Sequence, residues 1–174
     1  MSVKTVATTT LVALALMTGP GVAHQRDLIT AGGKVGPIQN GRTNNADMRD
    51  MFGRPSYRDV IRVGCSRVVR LRWRGQIQSF AYRADEQRRV VDVRVLAREV
   101  EAADGSSYTF HTRRGLRVGD SQRRLRELYP NADPMTHAGH THYKLGEGRY
   151  GTKLLAKVVD DVVVQLEAAP YEYC

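Results

Sequence analysis

A regular alternation of apolar and charged residues constrains the fold of this chain more than any other sequence feature. Between positions 69 and 74, Val69, Leu71 and Trp73 alternate with three arginines. Because successive side chains of a β-strand point to opposite faces, this pattern predicts a strand with one buried and one solvated face. The same alternation recurs at 91–97, and 154–159 and 162–168 are two further predicted strands, joined at Asp160-Asp161. These strands predict an antiparallel sheet with one face packed on a core.

Two short helices are predicted, each between a glycine-containing turn and a helix-breaking residue. The first runs from Asn44 to Phe52 and the second from Gln122 to Tyr129, about 77 residues later. Each has a polar residue that can cap its start, and each is followed by strand patterns. We therefore expect an α+β protein with two tandem subdomains, 36–112 and 113–174, each a short helix packed on an antiparallel β-sheet. The predicted core residues are Val69, Leu71, Trp73, Val93, Val95, Leu125, Leu128, Val158, Val162 and Val164.

The motifs at the two helices resemble a known layout. The first copy combines Gly41-Arg42-Thr43 with Phe52-Gly53-Arg54-Pro55, and the second combines Gly119-Asp120-Ser121 with Tyr129-Pro130-Asn131-Ala132. This plan is similar to secreted actinobacterial proteins related to the SmpA/OmlA-type outer-membrane assembly lipoproteins and to the tandem-repeat β-lactamase inhibitory proteins. The resemblance implies helices on one face of an antiparallel sheet, a protein-binding role and no catalysis. The strongly basic composition departs from these families, and no inhibitor contact residue is matched position by position.

The N-terminal region predicts export. Residues 1–23 combine a basic residue, a short apolar stretch and small residues that end at Ala23, which is typical of a secretory signal peptide. The apolar stretch is too short to span a bilayer, and no second one follows it. We expect a secreted or extracytoplasmic monomer with a flexible leader at 24–35 and no membrane span. In an oxidising compartment, the chain's two cysteines, Cys65 and Cys174, are expected to form a disulfide.

Arginine is the most unusual part of the composition. The chain has 27 basic and 18 acidic residues, a formal charge of +9, and 22 of the basic residues are arginine. Guanidinium groups suit carboxylate and phosphate partners, so an arginine-rich sheet face predicts a binding surface. We expect a protein partner outside the cell or in its envelope, with inhibition as one form of this role. The alternative is an anionic polymer, either nucleic acid or cell-wall polymer. The predicted binding residues are Arg70, Arg72, Arg74, Arg94 and Arg98.

No catalytic residue is predicted, and we expect a protein that is not an enzyme. Gly119-Asp120-Ser121 has the letters of a GDSL-type hydrolase motif, but no histidine of the mid-chain and C-terminal region has an acidic residue three positions before it. Asp120 and Ser121 are better explained as helix caps. A third alternative is that the secreted protein binds copper or zinc, because closely spaced imidazoles can converge on these metals. The candidate metal ligands are His24, His137, His140 and His142.

Overall fold

The structure is a computed structural model that describes residues 25–137 and 139–170. The two α-helices are α1, Asn45–Phe52, and α2, Gln122–Leu128, and short 3₁₀ helices occur at Gln25–Asp27 and Arg149–Gly151. The strands are β1 Leu28–Ile29, β2 Lys34–Val35, β3 Ile38–Gln39, β4 Tyr57–Val63, β5 Ser66–Trp73, β6 Ile77–Tyr82, β7 Val90–Val95, β8 Val100–Glu101, β9 Ser107–Tyr108, β10 His111–Thr112, β11 Asp133–His137, β12 His140–Glu147, β13 Lys153–Val159 and β14 Val162–Ala169. Within the described ranges, neither helix has the length and apolarity needed to cross a membrane.

The eight longer strands form one sheet in the order β11-β12-β13-β14-β7-β6-β5-β4. All of its neighbouring strands are antiparallel. A small sheet has the order β10-β1-β2-β3, and β8 pairs with β9. The helix α1 precedes the meander β4 to β7, and α2 precedes the meander β11 to β14. The strands β7 and β14 join the two meanders into one sheet.

The expected fold class, an α+β protein with two tandem helix-on-sheet subdomains, is wrong. Strand accounts for 49% of the structure and helix for only 13%, in two short helices, so the chain is mostly β. The long strands share one continuous sheet instead of forming two separate ones. Local alternation specifies strands but not which distant strands pair. A sheet of eight strands and two sheets of four therefore have the same local sequence pattern.

Both helices pack on one face of the sheet, where a single cluster of buried apolar residues forms the core. Met48 and Phe52 of α1 and Leu125 of α2 belong to this cluster. The ring centroids of Phe52 and Trp73 lie 6.0 Å apart, and the Trp73 Nε1–H donates to the Gly53 carbonyl oxygen at 2.8 Å. Asn44 caps α1, and Ser121, one of the two residues expected to cap α2, is the residue that does so. Local signals therefore defined both helices well.

Most of the predicted core residues are buried, and two of the three exceptions, Val162 and Val164, follow from one β-bulge. Val162 is 39% exposed and Val164 is half-buried, whereas Val163 is fully buried. The pairing of β13 with β14 shifts register between Lys157 and Val158, which changes the residues of β14 that face the core. Leu128 packs against the core only in part. Strict alternation cannot indicate such a shift, because a bulge adds one residue to one strand of the pair.

The predicted leader, 24–35, is not a loose segment over the part that the structure describes. Residues 28–29 and 34–35 form β1 and β2, and Ile29 and Val35 are buried in the core. The strand β1 pairs in parallel with β10, so this segment is held by a distant part of the chain. The predicted signal peptide, 1–23, lies outside the described residues, and so does His24.

Candidate functional site

The sheet face opposite the two helices carries the predicted arginines of β5 and β7, and we call it the arginine face. Strand register places Arg72 directly opposite Gln78, Gln78 opposite Arg94, and Arg94 opposite Glu167. Tyr57 of the edge strand β4 is opposite Arg72 on the other side and is 49% exposed. Directly opposed residues share a sheet face. One row of polar side chains therefore runs across five neighbouring strands.

Arg70 is held in place by the edge strand. Its Nε donates to the Asp59 Oδ1 at 2.9 Å and its Nη2 to the Asp59 Oδ2 at 2.5 Å, a two-pronged ion pair. The guanidinium carbon also lies 5.5 Å from the centre of the Tyr57 ring. The hydrogen bond from Arg70 is the main reason that the pKa of the Asp59 carboxyl is lowered. Arg70 is therefore a fixed, partly neutralised cation.

Arg94 lies at the centre of a buried charged cluster. Its Nε is 3.1 Å from the Asp92 Oδ2, and its Nη2 is 3.2 Å from the Glu167 Oε1. The guanidinium carbon lies 4.4 Å from the centre of the Phe80 ring, an arrangement that adds cation–π attraction. The Gln165 Nε2 donates to the Glu167 Oε2 at 2.6 Å. Burial, and then the nearby charge of Asp92, raise the pKa of Glu167 to about 8.

A pocket of about 380 Å³ opens beside this cluster. Arg94, Glu167 and His142 line it, together with Val63 of the edge strand β4 and Met135 of the opposite edge strand β11. In a flat sheet, strands seven positions apart would lie about 34 Å from each other. Since residues of both edges line one pocket, the sheet must curve strongly toward the arginine face.

Two of the candidate metal ligands lie together on the arginine face. The ring centroids of His137 and His142 are 5.8 Å apart on the neighbouring strands β11 and β12, and His140 pairs with His137 at the hairpin end. Burial is the main reason that the pKa of His142 is lowered to about 4, with the charges of His137 and Lys157 contributing. Within residues 25–137 and 139–170, no three His, Cys, Asp or Glu side chains are grouped so that they could hold a metal ion.

The other two predicted arginines lie away from this row. Arg74 follows the end of β5 in a tight turn with a φ of 47°, and its Nη1 is 2.5 Å from the Glu101 Oε1. Arg98 follows the end of β7 in an exposed loop, and its Nη1 is 3.7 Å from the Asp120 Oδ1. Of the five predicted binding residues, the structure brings together Arg70, Arg72 and Arg94.

Cys65 lies in the exposed turn that joins β4 to β5, where its Sγ is 4.0 Å from the Ser66 Oγ. Cys174 lies outside the described residues. The disulfide between the two cysteines therefore stays a prediction.

Sequence reasoning missed the buried partners of Arg94. Asp92, which the alternation at 91–97 places on a solvated strand face, is fully buried, and the Glu167 side chain is only 8% exposed. A signal was present for Asp92, since an acidic and a basic residue two positions apart on one strand share a face. No local signal could have identified Glu167, because its proximity depends on the pairing of β7 with β14.

Comparisons of the chain with protein-family models, with curated proteins and with solved structures find no match.

Proposed function

We propose that this protein binds a protein partner outside the cell or in its envelope through the arginine face, and that it acts by binding rather than by catalysis. The observation that supports this proposal is the curved sheet, with Arg70 and Arg72 on β5, Arg94 on β7 across the intervening strand β6, and a partly apolar pocket lined by Arg94. Strands hold their side chains more rigidly than loops do, which reduces the entropy lost on binding. Arginine and aromatic residues are also enriched among the residues that dominate protein interfaces.

Arg72 and Tyr57 are the residues that we expect to contribute most. Arg72 is exposed, and its guanidinium lies 2.5 Å from the side-chain amide of Gln78. Tyr57 is directly opposite Arg72, and the residue is 49% exposed. Unlike Arg70 and Arg94, Arg72 forms no ion pair with a carboxylate in the part of the chain that the structure describes. It therefore has its full charge to offer a partner.

The test is a capture experiment with the purified protein as bait, using envelope and supernatant proteins of the source organism. We expect one partner in stoichiometric amount at both about 0.05 M and about 0.15 M salt, since a specific interface resists screening better than diffuse charge does. The variant Arg72→Glu should weaken binding of that partner about tenfold or more. The matched control is Arg123→Glu on α2, whose side chain is 88% exposed on the other side of the sheet.

The control decides between a specific site and general charge. If Arg72→Glu and Arg123→Glu weaken capture equally, the arginine face is not the site. A second candidate, binding of an anionic polymer, is favoured by the presence of Lys144, Lys153 and Lys157 on this same face. Retention of nucleic acid or cell-wall polymer alone, and only at the lower salt concentration, would contradict the protein-partner proposal and support this second one.

A further inference from the structure

The eight-stranded sheet ends on one side at β4, and the outer edge of this strand is open. Tyr57–Val63 pairs with β5 over seven consecutive residues without a shift in register. On its other edge, β4 pairs with none of the residues that the structure describes. An unpaired edge presents a row of backbone N–H and carbonyl groups that a further strand can bind. The strand β4 is therefore a regular template for strand addition.

The opposite edge of the sheet, β11, is a poorer template. It has five residues and includes Pro134, which has no backbone N–H to donate. The strand β4 has seven residues and contains no proline, lysine or bulge, which are features that commonly protect an edge from pairing. Of the two edges of this sheet, β4 is therefore the one that is suited to bind another strand.

The strand β4 also exposes apolar side chains. Tyr57 and Val60 are 49% and 44% exposed, the highest values among the large hydrophobic side chains that the structure describes. Val69, which lies directly opposite Val60 on β5, is only 3% exposed. The core therefore ends between β5 and β4. A strand added to β4 would remove apolar surface of Tyr57 and Val60 from water, which favours its binding.

The charges on the helix side of β4 determine which kind of strand fits this edge. Arg58 and Arg62 are exposed there and lie on either side of Val60. Arg62 is directly opposite Arg67 of β5, an arrangement in which like charges repel each other. Within the described ranges, none of these three arginines forms an ion pair with a carboxylate. A strand that brings carboxylates to this face would relieve the repulsion.

The same charges disfavour a second copy of this chain as the added strand. If two copies of β4 pair antiparallel and centred on Val60, Arg58 of each copy lies opposite Arg62 of the other. The chain also has a formal charge of +9, so two copies repel each other over a longer range. Repulsion in the wrong pair and attraction in the right one together give specificity. The edge of β4 therefore favours an acidic strand of another protein.

We propose that the protein partner adds an extended acidic segment to β4 as a further strand of the sheet, an inference that rests on the function proposed above. The backbone of the segment forms ladder hydrogen bonds with β4, as in other cases of strand addition. Two acidic residues of the segment lie opposite Arg58 and Arg62, and an apolar residue between them packs against Val60. Tyr57 joins this edge to the arginine face, because it lies directly opposite Arg72.

The first test is calorimetric titration of the full protein with synthetic peptides. The probe is a capped nine-residue peptide with two glutamates four positions apart, a valine midway between them and threonine elsewhere, all of which suit a strand. We expect a Kd below about 1 mM. A peptide with lysines in place of both glutamates should bind about tenfold or more weakly, because repulsion replaces two ion pairs. Absence of binding, or equal affinity for the two peptides, would overturn the proposal.

Two N-methylated forms of the acidic peptide distinguish strand addition from attraction between charges alone. In an added strand, alternate N–H groups point toward β4 and the others point to solvent. One form is methylated at the odd-numbered amides and the other at the even-numbered amides, and neither change alters the charge. We expect one form to bind about tenfold or more weakly than the parent peptide, since its ladder hydrogen bonds are lost, and the other to bind like the parent. Equal affinity of the two forms contradicts strand addition.

Variants then assign the peptide site to β4. Arg58→Glu combined with Arg62→Glu should weaken binding of the acidic peptide about tenfold and strengthen binding of the lysine peptide by a similar factor. Both side chains are exposed, so the folded state tolerates the change. The matched control is Arg123→Glu combined with Arg124→Glu, which makes the same change in net charge on α2. An equal loss in the control, or unchanged binding in the β4 variant, would place the peptide elsewhere and overturn the proposal.

Competition with the captured partner links the edge of β4 to the proposed function. Excess acidic peptide should release the partner, whereas the N-methylated form that binds weakly should not. If the partner is captured and depends on Arg72 but the peptide does not release it, strand addition is wrong and the proposed function stands. If no partner is captured, the proposed function itself fails. Sedimentation that shows a dimer dissociated by the acidic peptide would assign the edge to a second copy and overturn the acidic-partner assignment.

Discussion

At the scale of single residues, the unusual feature is a pair of buried carboxyl groups that shares one guanidinium. Asp92 and Glu167 both contact Arg94, on the neighbouring strands β7 and β14. One positive charge cannot neutralise two negative charges. Since burial penalises the excess charge, the pair retains a proton at neutral pH. This explains why the pKa of Glu167 is raised to about 8 and not lowered by its ion pair.

The raised pKa predicts a pH-dependent stability. In the unfolded chain the Glu167 carboxyl titrates near 4.5, and in the folded protein it titrates near 8. Between these values the folded state binds more protons, so the free energy of unfolding falls as the pH rises. The contribution of the protonated Glu167 to the free energy of unfolding is complete below about pH 4.5 and is lost as the pH passes about 8. We expect Glu167→Gln to be clearly more stable than the wild type at about pH 9, by an amount on the order of a few kcal/mol.

Urea unfolding between about pH 5 and about pH 9 measures this effect. The matched control is Glu147→Gln, an exposed glutamate of β12 that lies beside Lys144. The control should retain the alkaline loss of stability, whereas Glu167→Gln should show a smaller one. A wild-type protein whose stability is flat over this range would contradict the assignment of a buried, protonated Glu167.

The sequence could predict some of the arginine-face residues but not others. Alternation within one strand was sufficient to place Arg70 and Arg72 on the same face, and Arg94 on the solvated side of β7. It failed for Arg74, because the alternation continues in the sequence after the strand has ended at Trp73. Strand ends depend on turn geometry and pairing, which residue polarity does not report.

At the scale of elements, the turn between β13 and β14 shows how a predicted turn can still carry strain. Val159 pairs with Val162, so the loop has two residues, Asp160 and Asp161. Both have positive φ angles, 48° and 61°. Two-residue turns with both φ values positive favour Asn-Gly, because residues with a side chain are strained in the left-handed region. The turn is therefore predicted by its sequence but is not optimised for its backbone conformation.

Changing this turn to the favoured residues should stabilise the protein. We expect Asp160→Asn combined with Asp161→Gly to raise the free energy of unfolding by about 1 kcal/mol, since glycine removes the left-handed strain. The midpoint of thermal unfolding should rise by about 2–4 °C. The control is Asp160→Asn with Asp161→Asn, which removes the same two charges but retains a side chain at position 161. An equal gain in the control would show that charge repulsion, not backbone strain, was relieved.

The helices and strands also show which features nearby residues can predict and which depend on distant strand pairing. Caps, breakers and apolar periodicity act within a few residues, and they located both helices within one residue of their observed bounds. The bulge opposite Val163 depends on how β13 and β14 align as a pair, so the prediction selected Val162 and Val164 for the core instead. The same limit applies to β1 and β2, whose partners lie in other parts of the chain.

At the scale of the whole molecule, the seam between β7 and β14 decides whether the two meanders act as one unit. Val95 pairs with Leu166, and Val93 pairs with Ala168, across this seam. All four side chains are fully buried, in a cluster that also includes Met48 of α1 and Leu125 of α2. A core shared in this way favours unfolding in a single cooperative step. The sequence could not predict this property, because each meander alone satisfies its own local pattern.

Leu166→Ala tests whether the seam couples the two halves. Removing this buried side chain should cost about 2–5 kcal/mol of unfolding free energy, from lost burial and the cavity that remains. Trp73 is the chain's only tryptophan and lies in the first meander, whereas far-UV circular dichroism reports on the whole sheet. Because one core joins the halves, the tryptophan fluorescence and circular dichroism transitions should coincide and shift together. Val162→Ala, at an exposed position of the same strand, should leave both transitions within about 0.5 kcal/mol of the wild type. A fluorescence transition that stays in place while the circular dichroism transition divides in two would instead show that each meander folds independently.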